Sequence, residues 1–263
     1  MRLRSVTDRV RREVQQRRPP ACPPGWSTGP PTFVGMGTQR SGTTWWHHLV
    51  TSHPGVERGQ KELRFFDGYW RREFSDADAA RYAHFFPRPL GQQVGEWSPG
   101  YVSHFWIPAL VRRAAPDARI LVLLRDPVAR YRSGLSLQRE TRRASQATAS
   151  AAFRLGCYAT HLEQLYASFP REQVLVQLHE RCVVDPAAEL SRTYTFLGLD
   201  PSFVPDDLAT PRNQSKSVKA DLPDHERASI VSAYRGEVDR LPGLVPDFDR
   251  SLWRNFASGG RSR

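Results

Sequence analysis

Apolar residues in this chain fall into short unbroken runs, separated by stretches in which they recur every three or four positions. The runs TFVGM (32–36), QQVGEW (92–97), ARILVLL (118–124) and EQVLVQL (172–178) have the length of strands. Continuous rather than alternating hydrophobicity marks strands covered on both faces. The intervening segments carry helical spacing. TTWWHHLVTSHP (43–54) predicts a helix that stops before Pro54, because a residue preceding proline is driven out of the α region. PVARYRSGLSLQRE (127–140), CYATHLEQLYASF (157–169) and DPAAELSRTYTFLGL (185–199) predict three more, with Pro186 suited to a first helical position. Strands alternating with helices imply an α/β domain built on a parallel sheet with helices on both faces.

Three segments fall outside this alternation. Residues 1–18 are a basic stretch, read as a solvated tail or as an arm making weak contact with an anionic membrane surface or an acidic partner. Residues 19–31, PPACPPGWSTGPP, contain six prolines and two glycines and read as a stiff linker without regular structure. The domain is expected to span 32–256, followed by a flexible tail at 257–263. Within it, RRASQATASAA (142–152) is small and polar and reads as a mobile loop near the substrate.

Composition narrows the function classes. A chain of 263 residues suits one α/β domain or at most two small ones. The net charge is +11, almost all from arginine, the lysines being Lys61, Lys216 and Lys219. The excess reflects genome composition or anionic ligands such as nucleotide, phosphate or sulfate. No zinc-finger, homeodomain or RNP-type motif points to nucleic acid. The three cysteines, Cys22, Cys157 and Cys182, are too far apart for a zinc site and give no disulfide framework. No apolar run approaches the ~18–20 residues of a membrane span. The arginine-rich start lacks the apolar core of a secretory signal, so the cytoplasm is the expected compartment.

The candidate chemistry begins at the end of the first strand. In GMGTQRSGTTWW, Gly37 and Gly42 frame a tight turn between strand and helix. Such a turn aims backbone N–H groups and the positive end of a helix at an anion. The lysine of a nucleotide triphosphatase loop is missing, and Thr43 and Thr44 follow Gly42 directly. Arg40 supplies a permanent forked charge instead, suited to electrostatic stabilisation rather than to proton transfer. A second constellation lies in LLRDPVARYRSG (123–134). Arg125 stands at the C-terminal end of a strand, where open parallel sheets bind ligands, and Ser133 sits about two turns into the following helix. Together the two segments suggest a ligand with two separate phosphate-bearing ends.

TQRSGTT resembles the 5′-phosphosulfate loop of sulfotransferases, and RDPVARYRS resembles their 3′-phosphate segment. KELRFFD (61–67), GEWSPGYVSH (95–104), YATHLEQL (158–165) and FLGL (196–199) follow in the family's order. The likeness covers about 32–220 and is strongest to heparan-sulfate-type and bacterial sulfotransferases. It implies a single P-loop-type α/β domain using 3′-phosphoadenosine 5′-phosphosulfate (PAPS) as donor, without a metal. It implies that Arg40, Ser41, Gly42, Thr43 and Thr44 cradle the 5′ end and that Arg125 and Ser133 hold the 3′-phosphate. Arg130 matches a second arginine of the motif. Glu62 matches the family's base, with His104 as the alternative. Lys216 keeps part of a late S-K-G-R pattern and is a further donor-binding candidate. Two departures concern the acceptor: Trp97 stands where heparan-type enzymes often carry lysine, and the late K-G-F-x-C loop is absent. The implied acceptor is therefore a hydroxyl, or an amine, of a small molecule, lipid or glycan. Two other readings remain: a P-loop kinase with Asp126 as a metal-binding acid, and a non-catalytic binding protein.

Overall fold

Five parallel strands carry the site, in the order β3-β5-β2-β6-β7. They are β2 (Phe33–Gly37), β3 (Val56–Glu57), β5 (Gln93–Trp97), β6 (Arg119–Leu124) and β7 (Val174–Leu178), and two further strands, β1 (Trp26–Ser27) and β4 (Arg88–Pro89), pair in a separate sheet. The computed structural model describes residues 18–140, 145–210 and 222–257. All four apolar runs are strands, and every residue of β2 and β7 is buried.

Side chains that alternate along a strand enter opposite layers. Val34, Met36, Ile120, Val122, Leu124 and Val176 enter one apolar layer; Phe33, Leu121, Leu123 and Leu175 enter the other. The second layer is closed by α1 (Thr43–Thr51) through Trp46, Leu49 and Val50, and by Leu190, Tyr194 and Leu197 of a helix at Pro186–Leu197. The first is closed by helices at Ile107–Ala114 and Tyr158–Tyr166 and by the long C-terminal helix Asp224–Leu244. In chain order the helices after α1 are α2 (Asp76–Ala83), α3 (Ile107–Ala114), α4 (Pro127–Glu140), α5 (Gln146–Arg154), α6 (Tyr158–Tyr166), α7 (His179–Val184), α8 (Pro186–Leu197) and α9 (Asp224–Leu244).

Two segments differ from their sequence reading. The expected mobile loop at 142–152 contains a helix start: Ser145 and Thr148 form a reciprocal capping box, and α5 runs from Gln146. The alanines that made the segment look featureless are the best helix formers. The proline-rich linker also carries structure, since Trp26–Ser27 pairs antiparallel with Arg88–Pro89. Arg88 donates to the Pro30 carbonyl at 3.2 Å and holds the linker against the body.

Parallel pairing brings the strand ends to one edge. The residues that follow β2, β5, β6 and β7 are Thr38, Ser98, Arg125 and His179. Every one of them takes part in the site.

Candidate active site

The loop after β2 is braced from inside. Thr38 donates both its backbone N–H and its hydroxyl to the Leu123 carbonyl, each at 2.9 Å. Its single hydroxyl proton is thereby used, so the Ser41 hydroxyl, 2.6 Å away, donates to it. Ser41 is wholly buried, and its side chain serves the loop's shape. Gly42 caps α1 with φ 83°, a left-handed conformation natural to glycine. A Cβ there would lie 2.6 Å from Nδ1 of His179, so the loop and the start of α7 close on each other. Thr43 is buried and Thr44 half-buried at the first turn of α1, where the helix leaves unpaired N–H groups.

Arg40 is the pivot. Its backbone is left-handed at φ 72°, a strained state for a non-glycine residue and one that concentrates at functional sites. Its Nε donates to Ser133 Oγ at 2.9 Å, across 93 residues of sequence. Its carbonyl accepts from Arg125 Nη1 at 3.1 Å. The two candidate anion-binding segments expected from the sequence therefore meet in space. Asp126 does not pair with Arg125. It is buried, and it accepts from the Val128 and Ala129 amides at the start of α4 and from the amide and side chain of Asn255. A carboxylate so fully engaged is a helix cap, which argues against the kinase role for it. Arg130 is wholly buried and donates to the Ala152 carbonyl, tying α4 to α5.

A pocket of about 420 Å³ opens beside Arg125. Arg132, Arg227 and Arg254 line it together with His179 and Val183. Its size is that of a small-ligand site, and its arginines suit an anion. Lys216 lies outside the described residues.

Glu62 and His104 both lie within the electrostatic reach of Arg64. Glu62 has a left-handed backbone, φ 57°, as does Arg64, φ 53°. The Glu62 carboxylate lies 3.2 Å from Lys61 Nζ and 3.9 Å from Arg64 Nη2. His104 stacks on Trp106 with ring centres 4.7 Å apart. Burial, and then the Arg64 charge, lower its pKa and keep the imidazole neutral. Asp67, which the sequence reading did not single out, is held up at about 6 by burial against the opposing pull of Arg64. Arg64 thus acts electrostatically on three potential proton acceptors.

The end of β5 links the two halves. Trp97 packs on Gly35 so closely that a Cβ there would lie 2.0 Å from the indole. Its Nε1 donates to the Gly37 carbonyl at 3.2 Å, and its own carbonyl accepts from the Glu62 amide at 2.9 Å. Among the aromatics near the cleft, Trp45, Trp46, Tyr69, Trp97 and Tyr101 are core, whereas Trp70 is 39% exposed and Trp106 half-buried.

The buried histidines give a pH prediction. Burial lowers His47, His161 and His179 from 6.5 to about 4, with Lys61 adding to the effect at His47 and Arg125 at His179. Between those values the unfolded chain binds protons that the folded chain refuses, so stability falls as pH drops through that window. Glu96 acts oppositely: burial raises it from 4.5 to about 7, and its contribution falls as pH rises between those values. Asp67 and Glu180, also raised by burial, act in the same sense as Glu96, and His104, lowered by burial, acts with the other histidines; the four histidines are expected to outweigh the three carboxylates. Thermal unfolding followed in a buffer series should show Tm decreasing as pH falls from about 6.5 toward about 4; a Tm that rises over that span contradicts the assignment.

The chain matches the family described as Sulfotransferase domain over residues 30–216. It is 33% identical over 185 residues to human heparan sulfate glucosamine 3-O-sulfotransferase 3B1, the match covering 64% of this chain and 46% of that protein. It is 32% identical over 196 residues to human heparan sulfate glucosamine 3-O-sulfotransferase 6, covering 69% and 56%. The chain spans about half the length of these curated relatives. Among solved structures it shares the fold of a sulfotransferase from Alicyclobacillus acidocaldarius, with a TM-score of 0.69, 24% identity, and coverage of 85% of this chain and 98% of that one. Sulfotransferase STF9 from Mycobacterium avium follows the same fold at a TM-score of 0.55 and 13% identity, over 92% of this chain and 81% of that one.

Proposed function

This chain belongs to the sulfotransferase family, and from that premise we propose that it transfers a sulfonyl group from PAPS to a carbohydrate hydroxyl. The observation that carries the reading is the hydrogen bond from Arg40 Nε to Ser133 Oγ. It joins a single-phosphate cradle to a second anion seat, which is what a donor with separate 5′ and 3′ phosphate groups requires. The donor supplies an activated sulfonyl group and a stable leaving phosphate.

The chain's own residues do the rest. The first amides of α1 and the Arg40 guanidinium set fixed positive charge where negative charge grows on the leaving oxygen. Arg125 and Ser133 orient the ligand's far end, and the arginine-lined pocket beside them receives it. Glu62 takes the acceptor's proton, with Lys61 and Arg64 holding its carboxylate in place. Little covalent chemistry is asked of the protein; positioning and preorganised charge supply the rate. The carbohydrate acceptor is supported by the heparan sulfate relatives, whose names state that substrate.

The test is incubation with sulfur-labelled PAPS and a panel of acceptors: a heparan-type oligosaccharide, a phenol and a long-chain alcohol. Label on the oligosaccharide, released as an O-sulfate, is the expected result. Label on only the phenol or the alcohol would overturn the acceptor class. Turnover of ATP with no transfer from PAPS would overturn the reaction itself. Adenosine 3′,5′-bisphosphate should bind in the presence of a chelator, as calorimetry would show.

A further inference from the structure

Beneath the Glu62 segment lies a buried carboxylate that the mechanism above does not use. Glu96, in β5, is wholly buried. It accepts from Tyr82 Oη at 2.7 Å and Tyr101 Oη at 3.2 Å on one oxygen, and from Ser98 Oγ at 2.6 Å on the other. All three hydroxyls donate to Glu96, so each is turned toward the carboxyl group. The Ser98 proton points at Glu96, which leaves the oxygen's lone pairs toward the opposite side. The Arg64 amide donates to that oxygen at 3.0 Å.

Arg64 is one of two residues in this segment with left-handed backbone, and the other is Glu62. A short stretch with two such residues holds its shape only when outside contacts impose it. Here the contacts come from one place. The Glu62 amide is held by the Trp97 carbonyl at 2.9 Å, and the Arg64 amide by the Ser98 hydroxyl. The same two residues hold the phosphate-loop strand, through Ser98 N–H to the Gly35 carbonyl at 2.9 Å and Trp97 Nε1 to the Gly37 carbonyl. The end of β5 therefore sets the spacing between donor cradle and candidate base.

We propose that Ser98, oriented by Glu96, is a positioning residue: its hydroxyl pins the Arg64 amide and so fixes where Glu62 stands relative to the phosphate loop. The proposal rests on the reading of Glu62 as the base. Loss of that hydroxyl releases the turn while leaving the cradle untouched. A displacement of about 1 Å at a reacting group costs on the order of 10²-fold in rate.

The experiment compares Ser98→Ala, Ser98→Thr, Glu62→Gln and the double variant Ser98→Ala/Glu62→Gln, using sulfur-labelled PAPS with a heparan-type oligosaccharide. Ser98→Ala should lower kcat about 10²-fold with the KM for PAPS and the affinity for adenosine 3′,5′-bisphosphate unchanged. Ser98→Thr, which keeps the hydroxyl, should restore most of the rate. In the Glu62→Gln background Ser98→Ala should cost nothing further, because the group it positions is gone. An unchanged kcat in Ser98→Ala, or an equal loss in both backgrounds, would overturn the positioning role while leaving Glu62 as the base. Full activity of Glu62→Gln alone would instead overturn the Glu62 reading and the proposal with it. A crystal structure of Ser98→Ala with adenosine 3′,5′-bisphosphate gives a readout independent of the acceptor. It should show the 62–64 turn altered and residues 37–44 in place; an unchanged turn overturns the proposal.

Discussion

Glu62→Gln is expected to reduce sulfonyl transfer by about 10²–10⁴-fold, the range ascribed to a positioned general base, and to leave donor affinity unaltered. The substitution keeps the side chain's length and its left-handed backbone. It removes the ion pairs with Lys61 and Arg64, but the Glu62 side chain is 46% exposed, and pairs at such sites contribute little to stability. Tm should therefore stay at its parent value, which separates lost chemistry from lost structure. Labelled product, calorimetric binding of adenosine 3′,5′-bisphosphate and a melting curve form the complete measurement. Retained transfer would move the base elsewhere, first to His104, whose imidazole burial keeps neutral beside the same arginine.

Arg40→Ala should lower kcat by about 10²–10³-fold, as the loss of a preorganised charge at the leaving group does elsewhere. Unlike the change at Glu62, it should also weaken donor binding. The Arg40 side chain orients Ser133, and its carbonyl braces Arg125. Removing the guanidinium frees the Ser133 hydroxyl and loosens the second seat along with the first. Arg40→Lys should recover part of the rate, since a charge returns, and less of the affinity. A lysine carries its three donors on a single nitrogen and cannot address Ser133 and a phosphate with separate nitrogens of a rigid fork. Steady-state kinetics with varied PAPS resolves the two effects. Equal kcat values for parent and Arg40→Ala would remove Arg40 from the reaction.

The parts of the site that follow local rules were legible in the sequence. Gly42, Arg40, Arg125 and Ser133 sit in two contiguous stretches whose strand–turn–helix order announces an anion site. The strands were legible because burial on both faces leaves runs such as ILVLL with nothing polar in them. The weakly patterned helices were not. α9 meets the core through Tyr234, Val238 and Leu241 and is otherwise largely exposed and polar. α2 buries Tyr82 and is announced mainly by the Ser75 cap. Nor was the meaning of His179, Glu96 and Ser98 legible. Each is an ordinary residue locally, and acquires its role only when parallel pairing sets the end of β5 beside β2 and the end of β7 beside β6. The strand within the proline-rich stretch was hidden for the same reason: its partner, Arg88–Pro89, is some sixty positions away in the chain. Trp46 and Trp97 are spent on packing against β2 and its neighbours.

The contact between Arg40 and Ser133 turns the site into a ruler. The Arg40–Ser133 bond and the bond from Arg125 to the Arg40 carbonyl fix the separation of the two candidate seats. On the proposed reading, nucleotides should be sorted by span rather than by charge: a donor substituted on both sides of its ribose should bind more tightly than ATP or adenosine 5′-phosphosulfate, whose charge lies on one side only.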